Sequence, residues 1–284
     1  MRFVRPTSTL ALLASTLVFA GGCTSREAQT DASATTRISL ATEHFAVSSY
    51  GLDSVAVRRL AAYLEDNQAR VVKELRASPM GITSVVVQSK DEFDVMWAPV
   101  IKASGIGFQP QALTGPDGAI YIYGPWARQH SGSALGQDAL HEFAHAVTRR
   151  TALDYIAAAG RDTAGYVFPD SVSKRVRWLS EAIATYEAGQ STDLNRFGYL
   201  MRGNYPSIAA LNDPANSQIY QIGYRLAEFI VKTWGAEGLA RLVQHDANVH
   251  AALGISEDEL MRRWFLAIED RYLLIKPRWF TTAR

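Results

Sequence analysis

The stretch His141-Glu142-Phe143-Ala144-His145 decides how this chain is interpreted. On an α-helix, two histidines four positions apart lie one turn apart on the same face, so both imidazoles can reach one metal ion. The glutamate after the first histidine then lies beside the ion, where it can take a proton from water. Nitrogen and oxygen donors suit zinc, and a catalytic zinc needs a third protein ligand and an open position. The stretch therefore predicts a helix that carries a metal site.

The sequence around this stretch favours a helix. Its apolar positions follow i, i+3, i+4, i+7 spacing and form one helix face: Leu140, Phe143, Ala144 and Val147. His141 and His145 fall on a different face. The alternative is a pair of surface histidines on a solvated helix. A short glycine-bracketed strand before the helix, Gly118–Gly124, gives the motif a folded context and favours the metal site.

A third ligand is predicted downstream, where Trp178–Gly189 is apolar enough to be a buried helix. The polar start of this helix is expected at Ser180 or within Lys174–Arg177, and Gly189 suits its end. Glu181 has apolar neighbours on both sides, and a carboxylate is costly to bury unless it is paired or binds a metal. Glu187 is expected to be solvated near the helix end, which favours Glu181 as the ligand. The alternative is that Glu181 is a salt-bridged core residue.

These two segments together resemble a known family. His-Glu-Phe-Ala-His at 141–145 and Trp-Leu-Ser-Glu-Ala at 178–182 look like the gluzincin zinc metallopeptidases, in the branch called peptidase MA-like, related to thermolysin and the zinc aminopeptidases. The resemblance continues in Tyr-Gln-Ile-Gly-Tyr at 220–224. It implies one Zn²⁺ per chain with His141, His145 and Glu181 as ligands, and Glu142 as general base.

The resemblance also implies that the Tyr220 hydroxyl donates a hydrogen bond to the oxyanion, and Tyr224 is a close competitor for that role. The stretch Gly115–Ala119 stands where the aminopeptidases have Gly-Ala-Met-Glu-Asn, which favours an endopeptidase or an enzyme with a specialised substrate. Ligating histidines also need an acceptor for their other ring nitrogen. Asp138 and Thr185 are the candidates for that position.

The N-terminal residues have the pattern of a bacterial signal peptide. Residues 1–22 carry Arg2 and Arg5 and then an apolar run too short for an ordinary membrane span. Ala20-Gly21-Gly22-Cys23 resembles a lipobox, and Cys23 is the single cysteine of the chain. We expect a lipid on Cys23 that anchors the protein in the cell envelope, at the outer membrane and facing the periplasm. The alternative is an ordinary cleaved signal peptide and a secreted protein.

Composition narrows the classes of partner. Residues 23–37 are rich in small polar side chains and are expected to form a flexible tether. Loss of the two arginines with the signal peptide changes the net charge from +1 to −1 (1 − 2). A net charge so close to zero indicates neither a nucleic-acid partner nor a charged patch that binds a membrane surface. With one cysteine and 48% hydrophobic residues, the protein depends on its apolar core for stability.

The pattern of the folded part predicts strands first and helices afterwards. Ile38–Tyr50 is expected to be extended, and Asp53 or the serine after it to cap an amphipathic helix. Three consecutive valines make Ser84–Gln88 a buried strand. Pro99–Pro116 is predicted to be a long loop bordering the cleft, followed by a strand around Tyr121.

After residue 130 the pattern is helical almost throughout, so the predicted fold class is α+β, with one metallopeptidase domain over residues 38–284. The predicted function is zinc-dependent hydrolysis of a peptide or protein substrate. One alternative is a non-catalytic zinc-binding scaffold or assembly lipoprotein of the envelope. Another is a metal-dependent hydrolase of a different amide, such as a cell-wall peptide crosslink. The sequence leaves the oligomeric state open.

Overall fold

The computed structural model describes residues 37–104, 109–130, 132–163 and 170–276. The predicted signal peptide and Cys23 lie outside these residues, as does the predicted tether except for Arg37, which already begins the first strand. The elements are five strands, eleven α-helices and one short 3₁₀ turn at Leu194–Arg196 in the described part of the chain. The strands are β1 (Arg37–Ala41), β2 (Phe45–Tyr50), β3 (Thr83–Gln88), β4 (Ala112–Thr114) and β5 (Ile120–Tyr123).

The helices fall mainly in the second half of the chain, so the predicted α+β class is confirmed. Three precede the central helix: α1 (Ser54–Glu74), α2 (Lys90–Ser104) and α3 (Gly124–Gln129). The two longest of the second half are α4 (Ser133–Ala158) and α5 (Asp170–Glu187). The others are α6 (Gly198–Met201), α7 (Ile208–Asn212), α8 (Gln218–Trp234), α9 (Ala236–Gln244), α10 (Val249–Leu253) and α11 (Glu257–Arg271).

The five strands form one mixed sheet in the order β1-β2-β3-β5-β4. Strands β2, β3 and β5 are parallel, while β1 and β4 pair antiparallel with their neighbours at the two edges. The predicted extended segment Ile38–Tyr50 is thus two strands, β1 and β2, joined by a tight turn. Strand β4 forms the edge of the sheet nearest to α4, and this placement is important for the site.

Helix α1 covers one face of the sheet as its pattern predicts. Asp53 caps it by accepting a hydrogen bond from the backbone N–H of Ala56 at 2.7 Å. Its apolar face buries Leu60, Leu64 and Val71. The side chains that β2 and β3 direct toward this helix belong to the same large apolar cluster, which continues into the helical half. One core therefore joins the sheet to the helices that carry the predicted ligands.

The predicted loop Pro99–Pro116 is partly wrong, because its beginning belongs to α2 and its end to β4. Pro99 lies inside α2. This helix covers the other face of the sheet at the β5–β4 end through a second, smaller cluster of Phe93, Trp97 and Leu113. The Trp97 indole also donates a hydrogen bond to Gln88 at 3.1 Å. Phe93 and Trp97, which precede the predicted loop, thus anchor a helix that continues through Pro99 to Ser104, where glycines and prolines predicted a loop.

Helix α5 is longer than predicted, because it begins at Asp170 rather than at Ser180 or within Lys174–Arg177. Its end agrees with the prediction: Gly189 has a left-handed backbone conformation (φ +68°) immediately after the last turn. Among the described residues, no helix combines the length and the hydropathy that a membrane span requires.

Candidate metal centre

Helix α4 presents His141 and His145 to the same point in the interior. The two Nε2 atoms lie 3.1 Å apart, and both side chains are buried. The face of α4 that carries Phe143 and Val147 packs into the main core, which holds the histidine face toward α5. The four-residue spacing thus places two imidazole nitrogens where one ion could contact both.

Helix α5 brings Glu181 to the same point. Its Oε2 atom lies 3.3 Å from His141 Nε2 and 3.7 Å from His145 Nε2. The side chain of Glu181 is 3% exposed. The structure therefore contains a buried group of two histidines and one glutamate that could hold a metal ion. These are the three residues that the sequence predicts as ligands.

The spacing and the chemistry of these three residues fit a metal. Glu181 Oε2 is buried, and it has no hydrogen-bond partner within the part of the chain that the structure describes. A buried carboxylate oxygen without a partner is costly, and coordination of a cation removes that cost. Donor atoms bound tetrahedrally at about 2.0 to 2.1 Å lie roughly 3.3 Å from one another. The three separations here, 3.1, 3.3 and 3.7 Å, bracket that value.

Each imidazole is oriented by a partner on its other nitrogen. His141 Nδ1 lies 2.9 Å from Gln190 Oε1, and the Gln190 amide nitrogen donates to Asp138 Oδ1 at 2.8 Å. Because the amide nitrogen faces a carboxylate, the amide oxygen faces His141, which must then carry its proton on Nδ1. His145 Nδ1 lies 2.9 Å from Ser180 Oγ. The lone pair of His141 Nε2 is therefore directed at the metal position.

Neither of the two candidates for these outer positions is a direct hydrogen-bond partner of an imidazole, since Gln190 and Ser180 take those places. Asp138 acts on His141 through Gln190. Thr185 contacts neither histidine, because its hydroxyl donates to the backbone carbonyls of Glu181 and Ala182. The sequence does contain a signal for Ser180, since it directly precedes a predicted ligand.

The end of α5 explains why Gln190 reaches the site. Gly189 in its left-handed conformation turns the chain back over the helix, and the Gln190 N–H donates to the Thr185 carbonyl at 2.9 Å. This six-to-one hydrogen bond is the Schellman arrangement. It holds the backbone of Gln190 against the last turn of α5, from where the side chain extends to His141. A glycine at the end of a predicted helix marks this motif, but the direction of the following side chain does not follow from sequence.

Glu142 lies beside the three predicted ligands and is itself buried. Its Oε2 accepts a hydrogen bond from Thr114 Oγ1 at 2.9 Å, and Thr114 belongs to edge strand β4. Burial raises the pKa of Glu142 to about 8, although the charge of His141 and the bond from Thr114 oppose the change. No local pattern indicates Thr114 as a partner of Glu142, because the contact spans 28 residues.

The charges of the site act on one another. Burial lowers the pKa of His145 to about 3, so its imidazole is neutral, as a metal ligand must be. Burial also acts to lower the pKa of His141, but the carboxylates of Glu181, Glu142 and Asp138 outweigh it and raise that pKa. For Glu181, burial is outweighed by the two imidazoles, and the pKa of its carboxyl is lowered. Glu181 is thus an ionised carboxylate held in the interior.

Tyr220 lies in the first turn of α8, which packs along α5. It is buried, and the Arg177 guanidinium lies over its ring at 5.5 Å from the centroid. Arg177 precedes Glu181 by one turn of α5. Tyr224 instead contacts Tyr186, with ring centroids 5.6 Å apart, near the other end of α5. The role of Tyr220 as oxyanion donor stays a prediction.

The prediction that Glu187 is solvated was wrong. Its side chain is fully buried, and Arg70 of α1 donates to Glu187 Oε2 and, at 2.7 Å, to the Glu187 backbone carbonyl. The pKa of Glu187 is raised to about 8, first by burial and then by the nearby Glu74 carboxylate, against the opposing effect of Arg70. Glu187 therefore connects α5 to α1 and lies outside the candidate metal centre.

No protein-family model matches this chain, and a search of the curated proteins found no match.

Proposed function

We propose that this protein is a zinc-dependent peptidase in which His141, His145 and Glu181 hold one Zn²⁺ and Glu142 is the general base. One observation carries the proposal: a buried carboxyl that is not needed as a ligand lies next to three convergent metal donors. A site that merely stored or transported a metal would have no use for it. The resemblance of both segments to the gluzincin peptidases supports the same assignment.

The choice of zinc follows from the donors. Two imidazole nitrogens and one carboxylate oxygen form the ligand set of catalytic zinc sites, in which the fourth position is left open. Calcium and magnesium prefer sites built from oxygen donors alone. The described group offers no cysteine sulfur, which a closed structural zinc site commonly uses. We therefore place a single zinc ion here, with a thermolysin-like arrangement of the surrounding helices.

When bound, the zinc supplies a Lewis acid that polarises the scissile carbonyl and acidifies a water molecule. Glu142 removes the water proton as a general base and then delivers it to the leaving nitrogen as a general acid. Its carboxyl is held by Thr114 in the interior, where solvent does not compete for the proton. The Tyr220 hydroxyl donates a hydrogen bond to the oxyanion, a contribution commonly worth about 3 kcal/mol of transition-state stabilisation.

An extended peptide is the substrate that suits the edge strand beside Glu142. Among the strands that the structure describes, β4 pairs with β5 alone, and its last residue, Thr114, contacts the proposed base. A peptide added along the free edge of β4 by backbone hydrogen bonds passes close to Glu142. Such binding uses the peptide backbone and requires no free terminus, which is consistent with an endopeptidase.

The proposed location is the cell envelope. A signal peptide over residues 1–22 and a lipid on Cys23 attach the domain to the outer membrane facing the periplasm, through the tether that follows Cys23. A protein with an ordinary cleaved signal is secreted instead. Globomycin-sensitive processing and incorporation of labelled palmitate in the bacterial source distinguish the two.

The test compares Glu142→Gln with Glu187→Gln, which is the same change at a buried glutamate outside the site. Both proteins are loaded with zinc, and hydrolysis of unfolded casein is measured beside zinc content. We expect Glu142→Gln to retain about one zinc and to lose roughly 1000-fold in kcat, since proton transfer by a positioned side chain commonly contributes about 10²- to 10⁴-fold. Glu187→Gln is expected to keep its activity.

Three results would change the proposal. Substantial casein hydrolysis by Glu142→Gln contradicts the role of Glu142. Turnover of purified muropeptides without casein hydrolysis assigns the site to a cell-wall amide. Zinc binding by the unmutated protein, with no turnover of either substrate, identifies a non-catalytic scaffold of the envelope.

A further inference from the structure

Thr114 is the residue of the sheet that touches the proposed base. Its Oγ1 lies 2.8 Å from the backbone carbonyl oxygen of Glu142 and 2.9 Å from the carboxyl oxygen Oε2 of the same residue. Both distances are normal for a hydroxyl hydrogen bond. A threonine hydroxyl carries one proton and can donate to only one of these oxygens at a time. The hydroxyl therefore has two alternative acceptors on a single residue.

The position of Thr114 is fixed from both sides of the strand end. The turn after β4 is closed by two backbone bonds, Gly115 N–H to Ala119 O at 2.8 Å and Gly118 N–H to Gly115 O at 3.0 Å. Arg149 of α4 donates to the carbonyl of Pro116 in the same turn. Glu142 and Arg149 are seven residues apart on α4 and so share a face of the helix. The hairpin is thus attached to the metal-binding helix at two points, one of which is the base.

We propose that Thr114 is a positioning residue for Glu142, one that holds its carboxyl toward the substrate and couples the base to the edge strand. This proposal rests on the proposed function. With Oε2 fixed by the hydroxyl, Oε1 is the oxygen that receives the proton from water. The side chain of Glu142 has three rotatable bonds, and a buried partner that reduces this freedom keeps the base in the reactive orientation.

The two acceptors suit the two halves of the proposed reaction. While Glu142 is a carboxylate, the Thr114 hydroxyl donates to Oε2. Once Glu142 carries the proton on Oε1, its Oε2 is a weaker acceptor, and the hydroxyl can turn to the Glu142 backbone carbonyl. The exchange needs a rotation of one hydroxyl and no movement of heavier atoms. Thr114 can therefore stay in contact with the base throughout its change from proton acceptor to proton donor.

A second threonine serves as the matched control. Thr151 of α4 is buried, and its hydroxyl donates only to backbone carbonyls, at 2.9 Å to Leu75 and 3.1 Å to Val147. Both Thr114 and Thr151 join α4 to another element, and they differ in that Thr114 reaches a carboxyl group. Replacement of either by valine removes the hydroxyl and keeps the shape of the side chain.

The kinetic test compares Thr114→Val, Thr114→Ser and Thr151→Val in the zinc-loaded protein. We expect Thr114→Val to lower kcat by about 10- to 100-fold, the usual effect of losing an outer partner, with KM and zinc content unchanged. Thr114→Ser restores the hydroxyl and should recover kcat to within about threefold of the unmutated protein. Thr151→Val is expected to leave kcat unchanged. Unmutated kcat in Thr114→Val overturns the proposal.

A binding measurement tests the same inference without turnover. A peptide hydroxamate chelates the metal and passes a proton to the neighbouring base, so its affinity reports the orientation of Glu142. By calorimetry, Thr114→Val should weaken binding roughly tenfold in the otherwise unmutated protein and have no effect in the Glu142→Gln background. Equal losses in both backgrounds show that Thr114 acts independently of Glu142 and overturn the proposal.

The two measurements separate this inference from the proposed function. Coupling between Thr114 and Glu142 in hydroxamate binding, in a protein that hydrolyses no substrate, supports the positioning role and refutes the peptidase. Hydrolysis by the unmutated protein with full activity in Thr114→Val refutes the positioning role alone.

Discussion

Glu181 and Glu187 lie six residues apart on helix α5, and both are buried, yet their surroundings differ completely. Glu181 faces two imidazole nitrogens at 3.3 and 3.7 Å, and its Oε2 has no hydrogen-bond partner among the described residues. Glu187 faces the guanidinium of Arg70, which also caps the end of the helix. A metal cation could bind at Glu181, whereas the guanidinium of Arg70 already occupies the corresponding position at Glu187.

The comparison shows that burial alone does not identify a functional carboxylate. Burial acts to raise the pKa of both residues, and the outcome depends on the charges nearby. Two imidazoles and Arg177 reverse the effect at Glu181, and its pKa is lowered. At Glu187 the Glu74 carboxylate adds to burial, and the pKa is raised to about 8. The distinguishing feature is the convergence of metal donors at Glu181, because Glu187 Oε1 also has no hydrogen-bond partner among the described residues.

The strongest test of this comparison makes the same change at both positions. Glu181→Gln should weaken zinc binding by more than about 100-fold, because a charged ligand is lost and loss of an outer partner alone commonly costs about 10- to 100-fold. Glu187→Gln should leave zinc affinity within about threefold of the unmutated value, since it lies outside the site. Competition with a chromogenic zinc chelator measures both affinities. Equal affinities in the two variants would remove Glu181 from the site.

The two histidines also differ in the hydrogen-bond partners that orient them. Two consecutive hydrogen bonds connect His141 through Gln190 to the carboxylate of Asp138, whereas His145 contacts the hydroxyl of Ser180. Burial raises the pKa of Asp138 to about 6, so this carboxyl is largely ionised at neutral pH. An ionised acceptor behind Gln190 strengthens the hydrogen bond that orients His141.

This difference predicts unequal effects on metal binding. Gln190→Ala should weaken zinc affinity by about 10- to 100-fold, and Ser180→Ala by about tenfold or less. The same chelator competition measures both variants, with circular dichroism as the control for folding. A larger loss in Ser180→Ala would show that His145, and not His141, depends more on its outer partner.

The sequence predicted the parts of the fold that depend on local periodicity. The apolar spacing of α1 and α4, the three valines of β3 and the Asp53 cap all follow from properties of neighbouring residues. Helix α2 could not be predicted from local periodicity, because Pro99 and nearby glycines argue against a helix. Its stability comes from burying Phe93 and Trp97 on the sheet, which is a tertiary contact.

The residues of the candidate site also divide into those that local sequence predicts and those that depend on distant contacts. His141, His145 and Glu181 were predictable, because a four-residue spacing and an apolar surrounding are both visible in sequence. Gln190 and Thr114 were not, since their contacts span 49 and 28 residues. The prediction that Glu187 is solvated was wrong for the same reason, because its partner Arg70 is 117 residues away. A polar residue near a helix end gives no sign of whether a distant cation covers it.

The pH dependence of stability offers the finest test of the Glu187 environment. The folded pKa of about 8 lies above the ordinary value of 4.5, so this group stabilises the fold fully below pH 4.5. As pH rises toward 8, the unfolded chain releases the proton first and the contribution is lost. We expect the unmutated, metal-free protein to lose unfolding free energy steadily across this window relative to Glu187→Gln. Urea titrations at pH 5 and pH 8 measure the difference, with the exposed Glu237→Gln as control. Parallel pH profiles for the unmutated protein and Glu187→Gln would mean that Arg70 keeps Glu187 ionised throughout, which makes it an ordinary ion pair and deepens its contrast with Glu181.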